Sequence, residues 1–249
     1  MTLFGVEIWG GLLAFCRIGA LVMLLPGFGE PQVSPQIRLA GALLLTLVLA
    51  PTLAGSLPPE PQTFAAGAGA IVWETLIGLA IGSIARILQS ALSIAGQVAG
   101  FESGLSFAQT QDPTLNQGGA LLGVFYGMLG AALLFASGLH LLLLRAVAAT
   151  YGAFPPGAPG PAGDFAEWAV QAVAEAFTLG VRIAAPVILV GMVFRVLGGV
   201  MARLIPQIQV YFVALPLNVV LGLGAMGLSL GAGALVWLDR LRLFATELR

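Results

Sequence analysis

Three charged side chains stand inside the long apolar runs of this chain: Arg17, Glu74 and Arg182. A charge at the centre of a membrane helix costs roughly 2.5–3.5 kcal/mol on insertion scales, so each should face protein or water rather than lipid. Two chemistries fit them: a path for protons or ions, or pairing between helices that fixes their register. His140 is the only histidine. With no Cys, Asp or Glu near it in the chain, it cannot complete a metal site. It is also the sole base open to a Ser–His–Asp or Cys–His arrangement, and no nucleophile signature accompanies it. No glycine loop of the Walker or dinucleotide pattern is present. The chain reads as a non-enzyme, with neither cofactor nor metal.

The elements that must position these residues follow from composition. The chain is 59% hydrophobic and 8% charged, against about 25% charged residues in a soluble domain. It is therefore an integral membrane protein. A net charge of −1 without any basic cluster leaves no footprint for nucleic acid. Cys16 is the single cysteine and excludes an intrachain disulfide. The first ten residues carry Glu7 and no base, so the first apolar run lacks the basic start of a cleavable signal.

Six runs reach the length of about 20 residues needed to cross hydrocarbon, which makes the fold all-α with six long apolar helical segments. They are roughly 8–25, 39–57, 65–88 (its helix extending towards 105), 120–144, 165–197 and 210–238. The fifth is too long for a simple perpendicular span and opens with Asp164, Glu167, Gln171 and Glu175. Gly198-Gly199, Pro206 and Pro216 kink or break the later helices. The Arg residues divide four against four between the two sides of a six-span topology, so no orientation follows from positive charge. Gly78-xxx-Gly82, Gly119-xxx-Gly123-xxx-Gly127 and Gly227-xxx-Gly231 form small-residue faces. Such faces let helix backbones approach closely, either within one chain or between subunits.

One polar stretch interrupts the apolar pattern: Gln97 to Gln117, with seven amide or acidic side chains and no Lys or Arg. Asp112-Pro113 is a helix start, the Asp capping and the Pro fitting the first helical position. The loop before it, with Phe101, Leu105, Ser106, Phe107, Gln109 and Gln111, has an apolar edge. It is either an ordinary connection or an irregular element beside a pathway, where non-helical backbone at membrane depth is tolerated. A second unusual passage runs from Arg203 to Pro216, a helical turn followed by a Pro-kinked helix.

The pattern Arg203-x-x-Pro206-Gln207, then Val210 and Pro216-Leu217, resembles the C-terminal signature of the FliR family of flagellar and type III secretion export-gate proteins. Gly104-Leu-Ser-Phe-Ala108 with Asp112-Pro113 resembles that family's central loop. Ser137-Gly138-x-His140 and Phe154-Pro-Pro-Gly157 are similar to two further family patterns. The chain departs at Ser137 and Leu139, where the family often has an acidic residue or Asn, and His. It departs again at Gln109-Thr-Gln111, where a second aromatic is common.

The resemblance implies a structural and gating subunit of a protein-export gate in the bacterial inner membrane, within the flagellar basal body or secretion apparatus. Its implied partners are the P and Q type subunits, the B-type switch subunit, the A-type export ring, membrane lipid and unfolded export substrates. It implies a fusion: residues 1–153 like the P subunit with a plug-like loop at about 101–112, a connection at 154–163, and a Q-like hairpin at 164–249. Phe101, Leu105, Ser106, Phe107, Gln109, Gln111, Asp112 and Pro113 would then form the plug, and Arg203, Pro206, Gln207 and Pro216 the hairpin turn and subunit packing. The alternative is a small secondary transporter using Glu74 and Arg182, where broken helices can meet ions.

Overall fold

A computed structural model describes residues 2–3, 6–30, 33–105, 121–158, 162–205 and 210–247. The all-α membrane architecture holds. Apart from a short hairpin of β1 (Thr2–Leu3) and β2 (Val6–Glu7), every element described is helical. The helices are α1 (Ile8–Leu24), α2 (Pro35–Leu53), α3 (Phe64–Glu102), α4 (Leu121–Ala136), α5 (Leu139–Ala153), α6 (Ala162–Leu204) and α7 (Val210–Glu247).

Local chemistry sets several of these boundaries. Ser34 caps α2 by accepting the Ile37 N–H at 3.4 Å, and Pro35 occupies the first helical position, where its missing N–H costs nothing. The fourth apolar run does not form one straight helix. It breaks at Ser137-Gly138, with Gly138 at φ 73, and α5 leaves α4 at 75°. Pro51, Pro186 and Pro216 lie inside α2, α6 and α7.

By length and composition, four helices are able to cross a membrane, or five if the bent α4–α5 pair counts as one span. The first apolar run, α1, has 17 residues and is shorter. At 1.5 Å per residue, the 39-residue α3 and 43-residue α6 extend about 58 and 64 Å, twice the hydrocarbon thickness. Hydropathy alone therefore overstates how much of each helix meets lipid.

The chain divides into two compact units. The first comprises 1–88, 134–173 and 240–249. Its core is built from stripes at helical spacing: Leu13, Ala14, Ile18 and Leu21 of α1, Ile77, Ile81, Ile84 and Leu88 of α3, and Leu143, Val147 and Tyr151 of α5. Gly78 sets the distance between α1 and α3, since a Cβ there would stand 2.3 Å from the Arg17 carbonyl oxygen. The second unit comprises 89–133 and 174–239. Ala99, Leu122 and Val187 form its centre, with Leu105, Ala225 and Met226 packed against them. Here α3 and α4 touch through Gly96, Gly123, Gly127 and Gly130, and Gln89 donates from Nε2 to the Gly127 carbonyl at 3.3 Å.

The small-residue faces thus separate into two kinds. Gly78, Gly82, Gly123 and Gly127 pack within the chain, whereas Gly227 and Gly231 have nothing within 4 Å. Gly119 lies outside the described residues. Much apolar surface remains uncovered: only 22% of the apolar window of α6 and 17% of that of α7 is buried. That surface needs lipid or protein against it.

Candidate functional site

Two of the three charges in the apolar runs meet in the first unit. Arg17 on α1 and Glu74 on α3 are both wholly buried and pair in a fork, Nε to Oε2 at 2.7 Å and Nη2 to Oε1 at 3.0 Å. The guanidinium reaches further. Nη1 donates to the Thr150 carbonyl at 3.2 Å and Nη2 to the Phe154 carbonyl at 2.9 Å. These lie at the end of α5, where the negative end of the helix dipole favours a cation; the Thr150 carbonyl also accepts the Phe154 N–H at 2.8 Å. Glu74 Oε1 also accepts the Gly157 N–H at 3.1 Å, from a residue at φ +79. The Tyr151 ring lies 4.2 Å from the Arg17 guanidinium carbon, and its hydroxyl donates to the Ala14 carbonyl at 3.4 Å. Two charges that would be costly alone are thus paired and hydrogen-bonded on nearly every side.

The second cluster lies in the second unit, where α3 ends. Glu102 accepts a hydrogen bond from Arg195 of α6, and its backbone carbonyl accepts from Asn218 Nδ2 of α7 at 3.1 Å. A Cβ on Gly191 would meet Glu102 Oε2 at 2.8 Å, and one on Gly222 would meet the Ser103 Cβ at 2.5 Å. The end of α3 is thus held between α6 and α7 at backbone distance. Gly104 turns the chain at φ +76 against the Leu215 side chain. Phe101, one residue before Glu102, is 69% exposed, and Leu105 is half-buried.

Of the plug residues read from sequence, Phe101 and Leu105 flank this cluster. Ser106, Phe107, Gln109, Gln111, Asp112 and Pro113 lie outside the described residues, as do Pro206 and Gln207 of the hairpin turn. Arg203 is exposed in the last turn of α6, and Pro216 is exposed inside α7. Arg182 is exposed and belongs to the second unit, so it is not a member of the Arg17–Glu74 group. His140 sits beside the α4–α5 break, its ring 5.0 Å from that of Phe135 and its Nδ1 3.4 Å from the Leu134 carbonyl oxygen. Among the described residues no group of three His, Cys, Asp or Glu side chains could hold a metal ion.

Sequence reasoning missed Arg195 and Asn218 as partners of Glu102. The one available signal was Gly191 a helical turn before Arg195, which leaves room on that face for another chain segment.

Residues 8–243 match the model of a family described as bacterial export proteins, family 1. The flagellar biosynthetic protein FliR of Caulobacter vibrioides is 41% identical over 236 residues, covering 95% of this chain and 94% of the relative. That of Aquifex aeolicus is 30% identical over 219 residues, 88% of this chain and 84% of the relative. For Escherichia coli the identity is 28% over 211 residues, 84% and 80%.

Proposed function

Because this chain belongs to the bacterial export proteins, family 1, we propose that it is a structural and gating core subunit of the flagellar protein-export gate. It is a membrane-embedded component of the flagellar export apparatus. The observation that carries the finer reading is the extent of the family match, which runs from the start of α1 nearly to the end of α7.

In this reading the subunit works without catalysis, in the inner membrane, with P and Q type subunits around a conduit for unfolded substrates. The B-type switch subunit and the A-type ring adjoin it. Residues 1–153 form the P-like part, 154–163 the connection and 164–249 the Q-like hairpin, whose turn at Arg203, Pro206, Gln207 and Pro216 packs against neighbouring subunits. The loop of about 101–112 closes the conduit at rest by steric exclusion, and an arriving substrate displaces it. Displacement requires that the substrate interact better with the open state than with the closed one. The attachment of Glu102 to α6 and α7 supports this reading, because a plug needs a fixed base.

No observation favours the transporter alternative. Glu74 is closed from solvent and engaged by Arg17, and Arg182 belongs to the other unit.

The test is purification of the tagged full chain in mild detergent and mass spectrometry of the intact assembly. Two further small, apolar proteins in fixed ratio are expected, and a stable monomer or homodimer without partners overturns the gate. Deleting Ser106–Gln111 is then expected to leave assembly intact while small solutes leak across the membrane. An assembled deletion variant without extra leak removes the plug.

A further inference from the structure

We propose that Arg17 and Glu74 are positioning residues, a polar lock whose work is to fix where the chain leaves α5 rather than to add stability. This goes beyond the gate reading and does not depend on it, since it concerns the first unit alone.

The distribution of the hydrogen bonds carries the argument. Two of them join the charges to each other. The remaining three go to backbone groups: the carbonyls of Thr150 and Phe154 and the N–H of Gly157. A buried ion pair adds little net stability, because desolvation offsets the attraction, and an apolar pair of similar volume often serves as well or better. An apolar pair here would fill the space, yet it would leave the Phe154 carbonyl and the Gly157 N–H without the partners they have, while the Thr150 carbonyl would keep the Phe154 N–H at 2.8 Å. Unpaired buried polar groups are expensive. The Phe154-Pro155-Pro156-Gly157 turn would then move to find water, since Pro155 and Pro156 have no N–H with which to make other bonds.

The geometry also explains why the pair is Arg and Glu in these places. The guanidinium fork supplies separate, fixed donors for one carboxylate and two carbonyls, which a single ammonium on a flexible stem does not reproduce. Glu74 Oε1 accepts from both Arg17 and Gly157. Reversing the charges would place donors at the Gly157 N–H and acceptors at the helix-end carbonyls, so a swapped pair is incompatible with the same backbone. Gly78, close behind the Arg17 carbonyl, keeps the two helices near enough for the fork to close.

The experiment compares the full-length protein in detergent with R17M/E74L, R17K and E74Q. Thermal unfolding is followed by tryptophan fluorescence, and chymotrypsin cleavage after Tyr151, at the end of α5, is followed by mass spectrometry. R17M/E74L is expected to unfold at or above the wild-type temperature while being cut there about tenfold faster, the effect of about 1.4 kcal/mol in the opening equilibrium. R17K, which keeps the charge but not the fork, is expected to be cut as fast as the apolar pair. E74Q keeps one oxygen acceptor but removes the counter-ion of Arg17, so it should melt below wild type as well as be cut faster. A wild-type cleavage rate in R17M/E74L overturns the proposal. So does slow cleavage in R17K, or failure of the apolar pair to fold, which would make the pair a source of stability instead.

Discussion

Replacing Gly96 by Ala tests how tightly α3 and α4 are joined in the second unit. A Cβ at residue 96 would lie 2.3 Å from the Leu122 carbonyl oxygen, 2.6 Å from its carbon and 2.8 Å from the Gly123 Cα. All three are backbone atoms of a helix, so none can turn aside as a side chain would. Restoring ordinary contact requires the helices to part by about 1 Å, and a gap of that size forfeits a quarter to a half of each dispersion well along the seam. The Gln89–Gly127 hydrogen bond, already 3.3 Å long, would pass beyond hydrogen-bonding distance. Overpacking of this kind costs about 1–3 kcal/mol. The helix preference of Ala over Gly returns up to about 1 kcal/mol. The net loss is about 1–2 kcal/mol, or a midpoint lower by roughly 2–8 °C for a chain of this size. Fluorescence-monitored melting in detergent measures it, with Gly227→Ala as the internal reference. Gly227 has open space around it, so Ala there should hold or slightly raise the midpoint. If Gly96→Ala is as well tolerated as Gly227→Ala, the close α3–α4 approach is not real and the reasoning fails.

Three further predictions concern different parts of the molecule. Gly227→Leu is expected to leave the isolated chain stable but to abolish co-purification of its partners, because a bulky residue would stand on an otherwise unpacked small-residue face; undiminished co-purification would mean that no subunit packs there. At the end of α3, Asn218→Ala should destabilise more than Arg195→Ala. It strands the Glu102 carbonyl and costs about 1–3 kcal/mol, whereas the half-exposed Arg195 contributes at most about 1 kcal/mol; melting curves in the opposite order would count against this. Glu74→Ala alone should cost about 3–5 kcal/mol by leaving Arg17 buried without its counter-ion, read as loss of protein from the membrane fraction, and wild-type accumulation would refute it.

The sequence by itself determined the class of the molecule. Fifty-nine per cent hydrophobic residues and runs of about 20 apolar positions admit only a helical membrane protein. The motif order from Gly104 to Leu217 indicated the family to which the chain belongs. One local signal was equally readable: the polar residues near 100 end a helix, at Glu102; the start at Ser34-Pro35 was not, because the apolar run begins only at Leu39.

Only the tertiary structure decided which of three intramembrane charges are partners. Arg17 and Glu74 are 57 residues apart and meet on different helices, while Arg182 stands exposed. It also broke the fourth run at Gly138, where leucines resume at Leu139 and the apolar run continues to Leu144. The Glu102–Arg195–Asn218 cluster joins positions up to 116 residues apart. A glycine face reads the same in sequence whether it is filled, as at Gly123, or open, as at Gly227. Hydropathy and spacing report what a residue requires of its surroundings. Which side chain, backbone or lipid meets that requirement is fixed only when distant segments come together in space.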